Sequence, residues 1–282
     1  MKVVVIGAAG QLGRVTVERW ASAHDVTALT RREVDLADAA ALERTLDALA
    51  PELILNCAAY NDVDGAEDAP STAFTVNALA VRSLAAAAAR AGATLVHYST
   101  DFVFDGADRD TPYTEADAPK PQSVYGTSKL LGEWLAAAAP RAYVLRVESL
   151  FGGVYVRSSV DKLIAGLERG EPLRVFADRT LTPSYVADVV EATCRLIETG
   201  APAGLYHCVN SGVTTWFELA REIAEAMNVE PQLVPVKVAD VTMKARRRQY
   251  AALSNAKLAR AGIPMPAWQD AVRSYLRGSA AV

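Results

Sequence analysis

Lys2-Val3-Val4-Val5-Ile6-Gly7-Ala8-Ala9-Gly10-Gln11-Leu12-Gly13 opens the chain with a β-branched run, followed at once by three glycines spaced G-x-x-G-x-x-G. Val3 to Ile6 is apolar at every position, as a strand buried on both faces requires. In such a strand–turn–helix setting the first glycine allows the tight turn and the second lets the backbone approach a pyrophosphate. The third permits close helix–strand packing. A helix from Gln11 to about Ser22 would present unpaired N–H groups and a positive dipole end to the phosphates. Gly7, Gly10, Gln11, Leu12 and Gly13 therefore read as a dinucleotide-binding turn. The glycine pattern alone is weak, and an ordinary strand-to-helix turn is the alternative.

Outward from this turn, strands at Val26–Leu29, Leu53–Cys57, Thr94–Tyr98 and Ala142–Val147 alternate with helices at Ala39–Leu49, Phe74–Gly92 and Ser128–Ala139. That alternation predicts an α/β protein with a Rossmann-type doubly wound parallel sheet. After Phe151 the rhythm loosens into helices at Val160–Arg169, Ser184–Glu198 and Trp216–Met227, with a strand at Gly204–Val209. The expected organisation is a nucleotide-binding domain from 1–150 plus 186–210. A small discontinuous α/β substrate-binding lobe would come from 151–185 plus 211–282.

The 282 residues fit one large domain or two intimately packed ones. Lys+Arg 29 against Asp+Glu 33 leaves no electrostatic footprint for nucleic acid or an anionic membrane. Hydrophobic content of 51% with 22% charged residues describes a globular chain. No apolar run approaches the roughly 18 residues of a membrane span, and the opening run reads as a strand, not a signal peptide. Cys57, Cys194 and Cys208 are odd in number, far apart and without metal spacing. Asp62, Asp64, Glu67 and Asp68 read as a solvated or capping loop, so no metal is expected. A soluble cytoplasmic protein follows.

At the end of the second strand, NAD sites usually place an acid for the ribose 2′-hydroxyl. This chain has Thr30-Arg31-Arg32 there. Two guanidinium groups suit a 2′-phosphate, so NADPH is favoured, with NADH as the alternative. Asp35 follows, with Leu36 beside it, either next to the adenine or as the cap of the next helix.

Tyr125-Gly126-Thr127-Ser128-Lys129 sets a tyrosine and a lysine at i and i+4, on one face of a helix. An ammonium beside a phenol lowers the phenol's pKa, which suits a general acid that protonates a carbonyl being reduced. Thr100, just past a predicted strand, stands where open α/β sheets bind ligands, and its hydroxyl is placed to hold the substrate oxygen. These residues alone reach only as far as a carbonyl reductase, or its reverse, dependent on NAD(P).

The glycine turn, Asn56-Cys57-Ala58-Ala59-Tyr60-Asn61-Asp62-Val63-Asp64-Gly65-Ala66-Glu67 and His97-Tyr98-Ser99-Thr100-Asp101-Phe102-Val103-Phe104-Asp105-Gly106 resemble the extended short-chain dehydrogenases/reductases. So do Pro112-Tyr113-Thr114-Glu115, Tyr125 to Lys129 with Gly132-Glu133, and Gly204-Leu205-Tyr206-His207. Within that family the chain is similar, over nearly its whole length, to the dTDP-4-dehydrorhamnose reductases. The resemblance implies Thr100, Tyr125 and Lys129 as a catalytic triad, with Lys129 also holding the nicotinamide ribose. It implies Ala58, Ala59 and Tyr60 lining the cofactor cleft. The implied reaction is reduction of the C4 ketone of a dTDP-linked 6-deoxy-4-keto sugar, with Asp101, Phe102, Ser149 and Arg247 on the substrate side, in a monomer or a homodimer.

The chain departs from the family pattern at Phe102, where a tyrosine is usual, and at Ser149, where a tryptophan is usual. The family's Arg-Pro pair with a following serine reads here Arg247-Arg248 with Ala251. These changes bear on the sugar and leave the hydride machinery intact. Arg246, Arg247 and Arg248 would suit a substrate diphosphate or form a solvated basic loop. A nucleotide-sugar epimerase or dehydratase is one rival, although a dehydratase would want a glutamate where Phe102 stands. A cofactor-binding regulatory subunit, resembling the β-subunit of methionine adenosyltransferase, is the other.

Overall fold

The computed structural model describes residues 1–106, 109–155 and 158–279. β1 (Lys2–Ile6) leads through the glycine turn into α1 (Gln11–Ala21). β2 (Asp25–Leu29), α2 (Ala39–Leu49) and β3 (Leu53–Asn56) follow. Next come α3 (Pro70–Ala91), β4 (Thr94–Thr100), α4 (Val124–Ala136) and β5 (Ala142–Val147). The main sheet is closed later in the chain by β7 (Gly204–His207), which follows α6 (Val186–Glu198). The six strands lie in the order β7-β5-β4-β3-β1-β2, and every pairing is parallel. The chain moves outward from β1 to β2 and then crosses to β3 on the other side. The order therefore reverses between β1 and β3, where doubly wound sheets open a crevice at their carboxyl ends.

Strand side chains alternate between two cores. Val3, Val5, Leu53 and Leu55 face α1 and α6 with Trp20, Val186 and Val189, while Val4, Ile6 and Ile54 face α2 and α3 with Leu42, Leu46, Val81 and Leu84. Burial on both faces explains the unbroken apolar strands. Helix α3 begins at Pro70, earlier than the sequence pattern predicts, and carries a π turn at Thr75–Leu79 before ending at Gly92 in the left-handed conformation. Its 22 residues are long and apolar enough to cross a bilayer, unlike the expectation of no such run. Even so, 56% of its most apolar window is buried inside the protein.

A second cluster joins α5 (Ser159–Glu168), α7 (Trp216–Met227) and α8 (Trp268–Ser279) to the parallel pair β6 (Leu173–Phe176) and β8 (Leu233–Val236). Phe151, Val175, Leu181, Trp216, Leu219 and Val272 form its core. Capping boxes start α5 (Ser158 with Asp161) and α7 (Thr215 with Glu218). Ser184 and Tyr185, read from sequence as helical, instead form a two-residue strand against Leu150–Phe151. Further along, Leu258, Ile263 and Met265 pack back into the core beneath α1 and α6.

Candidate active site

The crevice at the β1/β3 reversal is lined by Gly7, Gly10, Arg31, Asp35, Leu36, Ala58, Ala59 and Tyr60, with a volume near 590 Å³. Its narrowness is built from missing side chains. A Cβ on Gly7, which sits at φ +75°, would lie 2.8 Å from the Ala58 backbone, and one on Gly13 would lie 2.2 Å from the Gly7 carbonyl oxygen. Gly10 caps α1 with no side-chain hydrogen bond, and the helix has no acid in its first turn. Its leading N–H groups are therefore left for an anion. Gln11 turns its amide to the Gly152 carbonyl at 2.8 Å, and Leu12 is buried in the core; neither lines the crevice.

The two arginines separate. Arg31 lines the crevice with its side chain 89% exposed, 4.0 Å from Asp35. Arg32 is exposed, is absent from the lining, and donates its N–H to the Thr30 hydroxyl. Asp38, not Asp35, caps α2, its carboxylate accepting from the Ala41 N–H at 2.9 Å.

Helix α4 begins at Val124, four residues before the predicted Ser128, because Ser123 accepts the Gly126 N–H at 3.1 Å and Glu67 accepts the Val124 N–H at 2.9 Å. Tyr125 thus stands in a capped first turn with Lys129 one turn on, both buried. Thr100 is the last residue of β4; its hydroxyl donates to the Asp101 carboxylate at 3.0 Å, and its influence draws the Tyr125 phenol's pKa down. The Phe102 ring meets the Tyr125 ring edge-on at 5.4 Å.

The expected lowering of the phenol's pKa is absent. Burial pushes Tyr125 up to about 12, opposed by Thr100 and helped by Asp101; Arg248 is the cation acting on it. The Lys129 ammonium is drawn instead to the Tyr98 carbonyl oxygen at 2.6 Å, and burial lowers its pKa to about 8 against the opposing pull of Glu133.

Beneath these groups, Glu133 takes a bidentate pair of hydrogen bonds from Arg146 at 2.8 and 2.7 Å and one from Ser99 at 2.5 Å. Asn77, in the π turn, accepts from the Tyr60 N–H at 2.8 Å and donates to Ser128 at 3.0 Å, tying the crevice wall to α4. Sequence reasoning passed over Asn77, because a lone asparagine inside a helical pattern carries no spacing signal. His97 is fully buried with Nδ1 3.0 Å from the Asn56 amide.

On the substrate side the basic run does not act as one clamp. Arg246 reaches Gln122 from the surface, Arg247 pairs with Asp64 at 2.9 Å, and Arg248 is buried against Asp101. A cleft of about 710 Å³ opens beside them, lined also by Lys120 and Met243. The acidic loop works by capping and tethering. Asp62 holds the Gly65 N–H, Glu67 caps α4, and Asp64 and Asp68 hold the 244–247 strap. Ser149 lies at the end of β5 in the left-handed region at φ +46°. Glu148, also missed, is 1% exposed; one oxygen accepts from the Thr182 N–H and hydroxyl at 2.8 and 2.7 Å while the other has no partner among the described residues. Burial, with Asp101 nearby, pushes its pKa well above the usual carboxylic range.

Among doubly wound folds, a switch-point crevice flanked by a threonine at a strand end and a Tyr-x-x-x-Lys helix defines the extended short-chain dehydrogenase/reductase class. More narrowly, the chain belongs to the family described as the RmlD substrate binding domain, whose model matches residues 1–280. The dTDP-4-dehydrorhamnose reductase of Mycobacterium tuberculosis is 39% identical, across 99% of this chain and 93% of the relative. The dTDP-4-dehydrorhamnose reductase of Bacillus anthracis, solved in complex with NADP, matches with a TM-score of 0.93 at 31% identity, over 98% of this chain and 99% of that one. The Clostridium acetobutylicum dTDP-4-dehydrorhamnose reductase gives 0.92 at 29% identity, over 98% and 99%.

Proposed function

We propose that this protein is an NADPH-dependent reductase of the C4 ketone of a dTDP-linked 4-keto-6-deoxy sugar, working in the cytoplasm. The observation that carries the reading is Tyr125, buried in the capped first turn of α4, with Thr100 ending β4 and a buried Lys129 one helical turn on. The glycine turn fits a dinucleotide: Gly7 and Gly10 line the crevice, and a Cβ at Gly7 or Gly13 would strike the backbone that shapes it. Gly7, Gly10 and the first N–H groups of α1 hold the pyrophosphate, Gln11, Leu12 and Gly13 fix the turn, and Arg31 takes the 2′-phosphate with Arg32 nearby. Asp35 and Leu36 border the adenine end, and Ala58, Ala59 and Tyr60 form the opposite wall. When bound, the nicotinamide supplies the hydride.

The chain's own residues manage the proton. Tyr125, neutral well past physiological pH, donates its proton to the alkoxide oxygen as charge develops there. Lys129 in its charged form, held at the Tyr98 carbonyl oxygen, binds the nicotinamide ribose, and Arg248 is the cation that favours the phenolate left behind. Thr100 orients the phenol. Asp101, Phe102, Ser149 and Arg247 shape the sugar side, the lobe built from 151–185 plus 211–282 closes over the nucleotide sugar, and the active unit is a monomer or a homodimer.

The test is NADPH consumption with dTDP-4-dehydro-6-deoxyglucose, with and without a 3,5-epimerase. Turnover only with the epimerase identifies the rhamno-configured ketone as substrate. Turnover without it identifies another 6-deoxy sugar. No turnover in either case, with NADPH binding intact, overturns the reading in favour of another ketone substrate or a regulatory role.

A further inference from the structure

The strap held by the acidic loop is the tip of a longer loop, residues 238–249, whose two ends are gripped by one side chain. The Asp178 carboxylate accepts the Val238 N–H at one end and the Gln249 side-chain amide at the other, each at 2.9 Å. Backbone bonds reinforce the second end. The Thr180 N–H reaches the Gln249 carbonyl at 2.7 Å, and the Ala251 N–H reaches the Thr180 carbonyl at 3.0 Å. Arg248, 2% exposed, roots that end inside the protein. A loop of this length with its ends drawn together is an Ω-loop.

The tip is held differently. The Ala245 N–H donates to one Asp64 carboxylate oxygen at 2.8 Å, Arg247 pairs with the other at 2.9 Å, and Lys244 pairs with Asp68. The Asp64, Asp68 and Lys244 side chains are 45%, 68% and 49% exposed. Ion pairs in that much water are individually weak and are screened by salt. The catch itself is fixed: Asp62 holds the Gly65 N–H at 2.8 Å, Glu67 bonds the start of α4, and Ala66 is buried in one cluster with Tyr125. Base and catch are both firm, so the exposed pairs between them are where the loop gives way.

Opening there bears on the site. The loop supplies most of the wall of the 710 Å³ cleft, with Asp105, Gly106, Lys120 and Gln122 completing it. Arg247 lies 5.7 Å from the Phe102 ring, which in turn meets Tyr125. None of the loop residues lines the cofactor crevice.

We propose that residues 238–249 form a lid, hinged at Asp178 and latched at Asp64 and Asp68, that opens to pass the nucleoside diphosphate part of the substrate. This rests on the reading of the substrate as a nucleotide sugar. NADPH, in its separate crevice, exchanges without passing the latch.

The test compares wild type with the double variant Asp64→Asn/Asp68→Asn, which keeps an oxygen for the Ala245 N–H and removes both ion pairs. Backbone amide exchange over 241–247 reads opening without any ligand. It is expected to be several-fold faster in the double variant, to quicken with added salt in wild type alone, and to stay unchanged over 178–181. In stopped-flow binding of dTDP, association and dissociation should both quicken by about threefold, with Kd within about twofold and NADPH rates unchanged. Weakening a latch that closes the lid alike with and without ligand moves both rates together, whereas losing a ligand contact speeds dissociation alone. Equal exchange over 241–247 in the two proteins overturns the proposal, as does faster dissociation with association unchanged. If the double variant does not fold, wild-type exchange over 241–247 that ignores salt overturns it. A wild type that binds no dTDP sinks the substrate reading alone, because the exchange still decides whether the strap opens at the acidic loop.

Discussion

Lys129 Nζ donates to the backbone carbonyl oxygen of Tyr98 at 2.6 Å, across the junction of α4 and β4, with both groups buried. Burial brings the ammonium to about 8, so its charge is present below that pH and is lost as pH rises through it. Ketone reduction should therefore decline above about pH 8 along a single-proton limb. Lys129→Met should be slow and flat across the same range. A limb near 8 that survives in Lys129→Met would assign it to some other group.

Tyr125→Phe removes the proton donor and little else, since the ring still packs edge-on against Phe102. Turnover should fall by roughly 10²–10⁴-fold while NADPH affinity, read by fluorescence quenching, stays within about twofold. With the phenol at about 12, alcohol oxidation by the wild type should rise with pH only until Lys129 loses its charge near 8. Full activity in Tyr125→Phe would remove Tyr125 from the mechanism.

Arg31 and Arg32 should part company. Arg31→Ala should weaken NADPH binding by about tenfold or more and leave NADH nearly unchanged, as expected for loss of a charge-assisted contact. Arg32→Ala, outside the crevice lining, should change either affinity little. Equal effects of both substitutions would mean that the second arginine swings onto the phosphate.

Glu148 has a folded pKa raised above its unfolded value, so its contribution to stability is fully present below about pH 4.5 and is lost as pH rises. A glutamine there keeps an oxygen for the two Thr182 donors and has no charge to bury. Glu148→Gln should match or fall below wild type in melting temperature near pH 4.5 and exceed it by pH 8. A constant difference across that range would show that Glu148 has the same pKa folded as unfolded.

Gly132→Ala places a methyl 2.1 Å from the Asn77 carbonyl oxygen, where α3 and α4 touch. Backbone cannot yield there as a flexible side chain would. Overpacking of this kind costs about 1–3 kcal/mol, which urea unfolding will register as a lower midpoint at unchanged slope. Since Asn77 also holds Tyr60, NADPH affinity should fall with it.

The limits of α2, β5 and α7 match the reading from sequence, because a local apolar period and a local side-chain cap decide the two helices and a short unbroken apolar run decides the strand. The start of α4 does not match, for half of its capping comes from Glu67, 57 positions away. The pair β6 and β8 was invisible for the same reason. Each is four residues long, and neither carries a recognisable period without the other.

Sequence alone was enough for the glycine turn, for the strand–helix alternation of a doubly wound sheet and for the i, i+4 spacing of Tyr125 and Lys129, because each is a matter of residue type at short fixed spacing. Folding was needed to decide where three consecutive arginines go, which buried carboxyl keeps one oxygen without a partner among the described residues, and that Lys129 reaches a backbone carbonyl while Tyr125 answers to Asp101 and Arg248. Asp101 and Arg248 stand 147 positions apart, and burial, which sets the protonation of each group, exists only once the distant segments have packed.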